Sequence, residues 1–347
     1  MSDRRYKVAL IGYYGFGNLG DELLAEAAVA ALVRCGVERK RIVVLSNDPL
    51  DSERRLGVDC VDRWKPKHIW RVLSQSDTLL LGGGGLFQDT TSLRSCFYYW
   101  GLVRAACFRS VIPWALGQSV GPLLTRPGRW MTEDALERCR VLQVRDAVSS
   151  DLCESLGIPC ETGHDLVLTL GDAFDTKEDD AGGSGTVSLV NLRPCPGGLP
   201  ERFAAAVANH VRATGDKLVG VAFSEEDARL METFASEGRL PLLCLERAAT
   251  LKDVVRVWSG AKFAAGMRLH FSVLSTLARV PAIAVPYDPK VEAFAKAQDI
   301  PLWYEGPLPE PRLPRGSPDL LPEALRADLD ALCRRGLGVF NDGIPNY

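Results

Sequence analysis

Short apolar runs alternate along the chain with stretches of helical spacing, and this alternation predicts an α/β protein. Residues 6–11 form the first apolar run, and residues 23–33, rich in Ala and Leu, have helical spacing. Apolar runs of this length are typical of parallel strands that are buried on both faces. The chain is therefore predicted to begin with a strand, a glycine-bearing loop and a helix.

The alternation continues to residue 297 and is interrupted once. Residues 175–185, DTKEDDAGGSG, are charged and then Gly/Ser-rich, which is typical of a linker. We therefore predict two doubly wound, Rossmann-like domains that face each other across a cleft. The predicted bounds are an N-terminal domain at 1–176, a linker at 177–185, a C-terminal domain at 186–310, and a tail at 311–347 that packs back on the N-terminal domain. The predicted strands are 6–11, 41–46, 57–61, 77–81, 111–116, 141–144, 186–192, 217–223, 240–245, 261–265 and 282–285.

The first loop, GYYGFGNLGDE at residues 12–22, is a candidate ligand site. Gly15 and Asn18 lie within it, and Asp21 and Glu22 precede the predicted helix directly. A glycine loop between a strand and a helix presents backbone N–H groups to an anionic or polar ligand. These residues alone leave three interpretations open: a nucleotide loop, a loop for another ligand, and a tight turn without a ligand.

Gly15, Gly17 and Gly20 satisfy the dinucleotide pattern G-x-G-x-x-G. The two carboxylates that follow stand where a pyrophosphate would bind, so they disfavour a nicotinamide-dependent oxidoreductase. Asp48, after the second predicted strand, is the one acid that could bind a ribose at the expected distance.

Two further glycine-bearing segments follow predicted strands of the N-terminal domain. Residues 82–85 are four consecutive glycines, including Gly84, and residues 117–122 are GQSVGP, with Gln118 and Ser119. Ligands of parallel α/β sheets bind beyond the carboxyl ends of the strands. Both segments are therefore predicted to be loops on the same rim as the first loop.

Basic residues also follow predicted strands. Arg145 ends the last strand of the N-terminal domain, whereas Arg193, Arg268 and Lys290 follow strands of the C-terminal domain. Such a set suits an anionic substrate with phosphate and carboxylate groups, because a guanidinium binds each of them through two hydrogen bonds. His270, two residues after Arg268, is a candidate proton donor or acceptor.

Composition narrows the function classes. The 347 residues carry a net charge of −3, which gives no general reason to expect nucleic-acid binding. Ten cysteines without a C-x-x-C pair predict buried free thiols in a reducing cytosol, and with only four histidines no zinc site is predicted. No metal or organic cofactor is expected.

Targeting signals are also absent from the pattern. The start, MSDRRYK, has no apolar stretch of a signal peptide, and no apolar run approaches eighteen residues. A cytoplasmic chain is predicted. A peripheral contact with the inner face of the plasma membrane stays open, because basic residues adjoin tryptophans at 63–64, 68–70 and 129–130. Each of these pairs is interpreted first as the solvated rim of an amphipathic helix.

Taken together, these motifs resemble the polysaccharide pyruvyl transferases, in particular the bacterial cell-wall type called CsaB. The resemblance runs from about residue 6 to residue 297. It rests on GYYGFGNLGDE at 12–22, GGGGLFQD at 82–89, GQSVGP at 117–122, Val-Arg-Asp at 144–146, the strand that leads to Arg193, and GMRLHFSVLSTLARVPAIAVPYDPKV at 266–291.

The resemblance implies a fold similar to GT-B glycosyltransferases and transfer of pyruvate from phosphoenolpyruvate to a sugar, with release of phosphate. The acceptor would be an N-acetylmannosamine-containing, lipid-linked cell-wall precursor, of the kind used in S-layer anchoring. Arg145, Arg268 and Lys290 would hold the donor, His270 would be the acid/base, and Asp21 would activate an acceptor hydroxyl. Arg193 joins the donor residues on the strength of its position alone.

Other functions fit the same architecture. A GT-B glycosyltransferase that uses a nucleotide sugar is the alternative enzyme, since fold does not settle function. A sugar- or anion-binding protein without turnover is the non-catalytic alternative, which the presence of both His270 and Asp21 disfavours.

Overall fold

The computed structural model describes residues 4–90, 92–174, 187–315 and 322–338. They group into two compact units. The first holds the described residues of Met1–Phe16, Asp21–Leu166 and Glu323–Tyr347, and the second holds those of Gly17–Gly20 and Val167–Pro322. The linker predicted at 177–185 lies outside the described residues.

The first unit is built on a seven-stranded parallel sheet with the order β3-β2-β1-β4-β5-β6-β7. The chain starts in the middle with β1, runs out to β3 and resumes with β4 on the other side of β1, which is the predicted doubly wound pattern. The strands are β1 (Tyr6–Ile11), β2 (Ile42–Ser46), β3 (Asp59–Asp62), β4 (Ser76–Phe87), β5 (Ile112–Val120), β6 (Leu142–Val144) and β7 (Glu161–Thr162).

Helices follow these strands in turn. The central strands lie among them and are buried on both faces, as their unbroken apolar runs predict; Val8, Leu80 and Trp114 are fully buried. The helices are α1 (Leu19–Arg34), α2 (Pro49–Leu56), α3 (Pro66–Ser74), α4 (Arg94–Phe108), α5 (Arg126–Leu136) and α6 (Ala147–Ser155).

The second unit repeats the architecture with a five-stranded parallel sheet in the order β10-β9-β8-β11-β12. The winding direction changes between β8 and β11, where a doubly wound sheet binds its ligands. The strands are β8 (Val187–Asn191), β9 (Lys217–Ala222), β10 (Leu242–Arg247), β11 (Ala261–Gly266) and β12 (Ala282–Ala284). The helices are α7 (Leu199–Thr214), α8 (Glu225–Ser236), α9 (Leu251–Trp258), α10 (Leu269–Leu277) and α11 (Pro289–Ala297).

The last described helix, α12 (Pro322–Leu337), packs on the first unit. Gly336 lies so close to the indole of Trp114 that an added Cβ would fall 2.6 Å from Cζ3. Arg34 of α1 pairs with Asp330 at 3.1 Å. Earlier in the predicted tail, Arg312 pairs with Ala282 in an antiparallel bridge within the second unit.

Two predicted loops are parts of strands instead. Gly82 and Gly84 pair with Leu116 and Gln118 of β5, so the four glycines continue β4 rather than follow it. The register shifts between Gly84 and Phe87, and φ is +90° at Gly84. The predictions of a loop at 82–85 and of a loop beginning at 117 were therefore wrong. The left-handed conformation open to glycine lets the backbone form a bulge while the pairing continues.

The ten thiols are free, as predicted, but only Cys96, Cys153 and Cys333 are buried, whereas Cys107 and Cys244 are exposed. Within the described residues, no helix combines the length and the apolar character needed to cross a bilayer.

Candidate functional site

The second unit gathers four of the predicted site residues at one end of its sheet. Arg193 follows β8, Arg268 and His270 follow β11, and Lys290 follows β12. Because β8, β11 and β12 are neighbours in a parallel sheet, their carboxyl ends meet at one edge. The sequence-based prediction of a basic rim in the C-terminal half therefore has a structural counterpart at this edge.

Arg193 is held at this edge by an aromatic side chain rather than by a carboxylate. Its Nη1 donates a hydrogen bond to the phenol oxygen of Tyr287, and its guanidinium lies over that ring, 4.5 Å from the centroid. Among the described residues, Nε is buried without a hydrogen-bond partner, and no carboxylate forms an ion pair with this arginine. Burial raises the pKa of Tyr287, although Arg193 acts in the opposite direction, so the phenol stays neutral and adds no negative charge.

Arg268, in contrast, is held by a buried carboxylate. Its Nε and Nη2 donate to the two oxygens of Asp227 at 2.8 and 2.7 Å, and Nη2 also donates to Ser224 Oγ at 2.9 Å. Asp227 is fully buried, and the Arg268 side chain is 13% exposed. The pair fixes the guanidinium at the strand edge and neutralises most of its charge.

A buried asparagine joins the strand ends on which these residues stand. Asn191, the last residue of β8, accepts the backbone N–H of Arg268 at 3.1 Å through Oδ1. Its Nδ2 donates to the carbonyl of Val221 in β9 at 2.9 Å. One fully buried amide thus sets the spacing of three neighbouring strands beneath Arg193 and Arg268.

His270 lies in the first turn of α10 and packs against Gly20. A Cβ added to Gly20 would fall 2.7 Å from Cγ and 2.9 Å from Cε1 of the imidazole, and closer still to Nδ1. Gly20 also donates its N–H to Asn18 Oδ1 at 3.2 Å, and Leu19 donates its N–H to the carbonyl of Phe223 at 2.9 Å. The segment Gly17–Gly20 of the first motif is therefore part of the second unit, and its Gly20 packs against one side of the His270 ring.

Lys290 stands at the start of α11. Asp288, the N-cap residue, accepts the backbone N–H of Lys290 at 2.9 Å, and Lys290 is half-buried at the same edge. The sequence places Pro289 at the first helical position, where its fixed φ favours the start of a helix.

In the first unit, the acidic end of the glycine motif closes on the loop itself. Helix α1 begins at Leu19, four residues earlier than predicted, so Asp21 and Glu22 belong to its first turn. Glu22 is 4% exposed and accepts the N–H of Gly15 at 2.8 Å. Asp21 lies against Gly84, whose added Cβ would fall 3.3 Å from Oδ1.

These contacts argue against a dinucleotide at the loop. The N–H of Gly15 already binds a carboxylate, where a phosphate would need it. Asp48 caps α2 by accepting the N–H of Asp51 at 3.1 Å, so the acid that could have bound a ribose has a structural partner.

Gln118 and Ser119 are buried inside β5 rather than exposed in a loop. Gln118 Nε2 donates to the carbonyls of Leu81 and Leu116 at 3.0 and 3.2 Å. Ser119 Oγ donates to Asp146 Oδ2 at 2.8 Å, and Asp146 caps α6. Both side chains have partners within the fold, and their assignment to the acceptor stays a prediction.

Arg145 follows β6 in the first unit and forms a buried ion pair. Its Nη1 lies 2.6 Å from Asp165 Oδ2, and the two side chains are 6% and 3% exposed. Asp146 lies 3.9 Å from Nε on the other side. To bind a donor directly, Arg145 would have to exchange Asp165 for the ligand, so its donor role also stays a prediction.

An aromatic cluster around Arg63 was missed from the sequence. The buried guanidinium donates to the carbonyl of Gly12 at 2.6 Å and lies 4.6 to 5.6 Å from four ring centroids. Tyr13 stacks on Phe16 at 4.0 Å, and Trp64 lies edge-on to Phe16 at 6.4 Å. The rings around Arg63 are Phe16, Trp64, Tyr98 and Tyr99.

The cluster presents aromatic surface at the carboxyl edge of β1, β2 and β3. Tyr13 is 45% and Trp64 57% exposed, and Trp64 Nε1 is fixed by Asn47 Oδ1 at 2.8 Å. We call the set Tyr13, Phe16 and Trp64 on Arg63 the aromatic platform. Its sequence signal, an Arg-Trp pair after a short strand beside the aromatic residues of the first motif, was visible but was interpreted as a solvated helix rim.

Asp227 and Asn191 were missed for different reasons. Asp227 follows Ser224 by three residues, a spacing that predicts a helix cap, and its carboxylate does accept a backbone N–H, that of Phe223. Asn191 is a buried polar residue at the end of a mostly apolar strand, which is a usable signal. Within the residues that the structure describes, no three His, Cys, Asp or Glu side chains group as metal ligands.

Solved structures of similar fold cover nearly the whole chain. UDP-GlcNAc 2-epimerase from Methanocaldococcus jannaschii matches with a TM-score of 0.59 and 9% identity, over 87% of this chain and 89% of that one. The S. aureus MnaA–UDP structure matches with a TM-score of 0.59 and 12% identity, over 96% and 91%. A glycosyltransferase from Rickettsia africae matches with a TM-score of 0.51 and 10% identity, over 96% and 92%. These likenesses confirm the GT-B-like fold class. At sequence identities of 9 to 12% they show similarity of fold and not of function.

The sequence family is more specific. A family model described as polysaccharide pyruvyl transferase matches residues 18–289, which is well over half of the chain. The chain therefore belongs to the polysaccharide pyruvyl transferase family, as the motifs predicted. No curated protein matches its sequence.

Proposed function

We propose that this chain transfers the pyruvyl unit of phosphoenolpyruvate to two hydroxyls of a sugar and releases phosphate. The acceptor we propose is N-acetylmannosamine in a lipid-linked precursor of a cell-wall polymer, as in the CsaB-like branch of the family. The observation that carries the proposal is the basic edge of the second unit, where Arg193, Lys290 and His270 follow neighbouring strands.

The reaction needs a proton on carbon and a stabilised leaving phosphate. Protonation of C3 of the donor turns its methylene into a methyl group and makes C2 electrophilic. One acceptor hydroxyl adds to C2, phosphate leaves with the electrons of the C2–O bond, and the second hydroxyl closes the cyclic ketal. The two hydroxyl protons balance the proton delivered to C3 and the proton that leaves with phosphate.

Arg193 is the best placed residue to bind the donor anion. Its guanidinium is half-buried, oriented by Tyr287 and uncompensated by a carboxylate within the described residues. A cation of this kind attracts phosphate or carboxylate more strongly than one already paired, because a paired cation must first give up its partner. In this proposal Arg268, held by Asp227, orients the edge, and Lys290 supplies the second positive charge.

His270 is the proposed acid that protonates C3. It stands two residues after Arg268 on the same turn, and an imidazole can carry and release a proton near neutral pH. The packing of Gly20 against the ring restricts the positions that the imidazole can take. A fixed proton donor is what a proton transfer to carbon requires, since the transfer depends on distance and alignment.

The proposed acceptor side lies in the first unit. Asp21, which lies against Gly84 where that residue has no side chain, is the proposed base for an acceptor hydroxyl. The aromatic platform at the same sheet edge offers exposed ring faces, on which the apolar C–H face of a pyranose can stack. Gly15, Asn18 and Glu22 then act by shaping the loop that carries Asp21.

The test is phosphate release from phosphoenolpyruvate, with and without an acceptor that ends in N-acetylmannosamine. We compare the wild type with Arg193→Gln, and use Arg229→Gln, an exposed arginine of α8, as the matched control. Loss of one charge-assisted contact predicts a fall in kcat/KM on the order of 100-fold for Arg193→Gln. The control should match the wild type.

Two results would overturn the proposal. One is stabilisation of the chain against heat by a nucleotide sugar, together with phosphate release that is either independent of the acceptor or absent with every such acceptor. This result would indicate a glycosyltransferase. The other is equal activity of Arg193→Gln and Arg229→Gln, which would remove the donor site from this edge.

A further inference from the structure

The outer face of three helices in the first unit exposes large aromatic side chains. Trp70 on α3 is 46% exposed, Phe97 and Phe108 on α4 are 62% and 76% exposed, and Trp130 on α5 is 56% exposed. Exposed rings of this size are unusual on a protein surface, and grouped together they indicate a surface that meets something other than water.

The rings form a group along α4 with one cluster of contacting rings at each end. Phe97, Arg104 and Phe108 are seven and then four residues apart, which is two turns and one turn, so they lie on one face of α4. Trp70 lies 5.8 Å from Phe108, between ring centroids, at one end of that face. At the other end Phe97 lies 5.8 Å from Trp100. Trp100 in turn lies 5.4 Å from Trp130 of α5, so the group spans all three helices.

The same helices carry positive charge in a chain whose net charge is −3. Helices α3 and α4 contain no acidic residue at all, and their exposed cations are Lys67, Arg71, Arg94 and Arg104. Of the three helices, only α5 contains acidic residues. Its Asp134 accepts hydrogen bonds from Trp100, Arg104 and Arg138. Burial alone would raise the pKa of Asp134, but these hydrogen bonds lower it on balance, so it stays ionised and compensated.

We propose that this aromatic-basic face, made of Trp70, Phe97, Phe108 and Trp130 with the cations of α3 and α4, docks the enzyme on an anionic lipid surface. Tryptophan and phenylalanine insert at the headgroup boundary, and Lys and Arg are attracted by anionic headgroups. A face that combines both on the outer sides of helices matches the chemistry of that boundary.

Charge separates this occupant from a second copy of the chain. A two-fold dimer through the face would place the cations of one copy against the same cations of the other copy. Helices α3 and α4 carry no acidic residues that could pair with them. The face is also distinct from the aromatic platform, because Trp64 is fixed by Asn47 at the sheet edge and is not among these rings.

The experiment measures binding of the full chain to vesicles by sedimentation. One set is pure phosphatidylcholine, and the other contains a third phosphatidylglycerol. The variants are Phe97→Ser/Phe108→Ser and Arg71→Glu/Arg94→Glu, all at exposed positions where folding should persist. The control is Leu243→Ser/Tyr304→Ser, at residues that are 61% and 58% exposed in the second unit.

The proposal expects the wild type and the control to bind the anionic vesicles, and added salt to weaken the binding. Each face variant should bind about tenfold more weakly or worse. Turnover of a water-soluble acceptor should be unchanged in all variants, which separates docking from catalysis. Equal binding of face variants and control, or no binding by the wild type, would refute the proposal. A dimer of the wild type that the face variants lose, or a preference for nucleic acid over anionic vesicles, would do the same.

Discussion

Gly20→Ala tests the role of His270 by adding a single methyl group. The added Cβ would lie 2.7 Å from Cγ and 2.9 Å from Cε1 of the imidazole. Non-bonded carbon atoms need about 3.5 Å, so the ring must move by on the order of 1 Å. A misplacement of that size in a reacting group costs about 100-fold in rate, or about 2.7 kcal/mol in the barrier.

The free energy of unfolding should hardly change in the same variant. Gly20 lies in α1, where alanine favours the helix by about 0.5–1 kcal/mol over glycine, and this gain offsets part of the local strain. We therefore expect a fall in kcat near 100-fold with little change in Tm. Steady-state phosphate release and thermal unfolding measure the two quantities on the same sample.

Two further variants make the reasoning refutable. Gly101→Ala is a matched control, because Gly101 is also helical and no atom lies within 4 Å of its added Cβ; it should keep wild-type turnover. The double variant Gly20→Ala/His270→Ala should be no slower than His270→Ala, since both changes act through one ring. Wild-type turnover in Gly20→Ala, or additive losses in the double variant, would show that this contact does not position a catalytic group.

Three other outcomes follow from the contacts. Trp64→Ala should raise the KM for the acceptor several-fold and leave that for phosphoenolpyruvate unchanged, and a rise in the donor KM would contradict the platform. Asp227→Asn should lower kcat/KM at least tenfold, because Arg268 loses the carboxylate that orients it, and Asp227→Glu should restore part of the loss. Wild-type kinetics in both variants would show that Asp227 does not orient Arg268 for the reaction. Asp89→Asn should lower the free energy of unfolding by about 1.5–3 kcal/mol at neutral pH, since Asp89 accepts three hydrogen bonds at the start of α5.

The pH dependence of the Asp89 effect has a definite sign. Burial alone would raise the pKa of this carboxyl, but hydrogen bonds from Thr125 and from backbone N–H groups lower it on balance. A carboxyl with a lowered pKa in the folded state stabilises the fold above its ordinary pKa, and this contribution is lost as the pH falls through the folded value. The difference in Tm between wild type and Asp89→Asn should therefore shrink in acid. A difference that stays constant down to acid pH would contradict it.

The sequence predicts most of the fold because its strands are buried on both faces. The stretches 8–11 and 79–81 consist of apolar residues only, which indicates buried strands, and parallel pairing follows from their alternation with helices. At β4 and β5 the prediction failed because of glycine. The four glycines at 82–85 predict a loop by composition, yet the pairing of Gly84 with Gln118 continues β4 through a bulge, which only the tertiary partner reveals.

The candidate site was predictable in its positions but not in its pairings. Strand ends located Arg193, Arg268 and His270, because position along the chain is enough for that. The partner of Arg268 is 41 residues away and looks like an ordinary helix cap, so the sequence could not show that this arginine is neutralised while Arg193 is not. Such differences depend on contacts between distant residues.

The most direct test of the central claim is the reaction run in deuterated water with phosphoenolpyruvate and an acceptor that ends in N-acetylmannosamine. We expect a ketal on the acceptor whose methyl group carries one deuterium, released together with one phosphate per ketal. Phosphate released without a ketal, or a sugar transferred from a nucleotide sugar instead, would contradict the account.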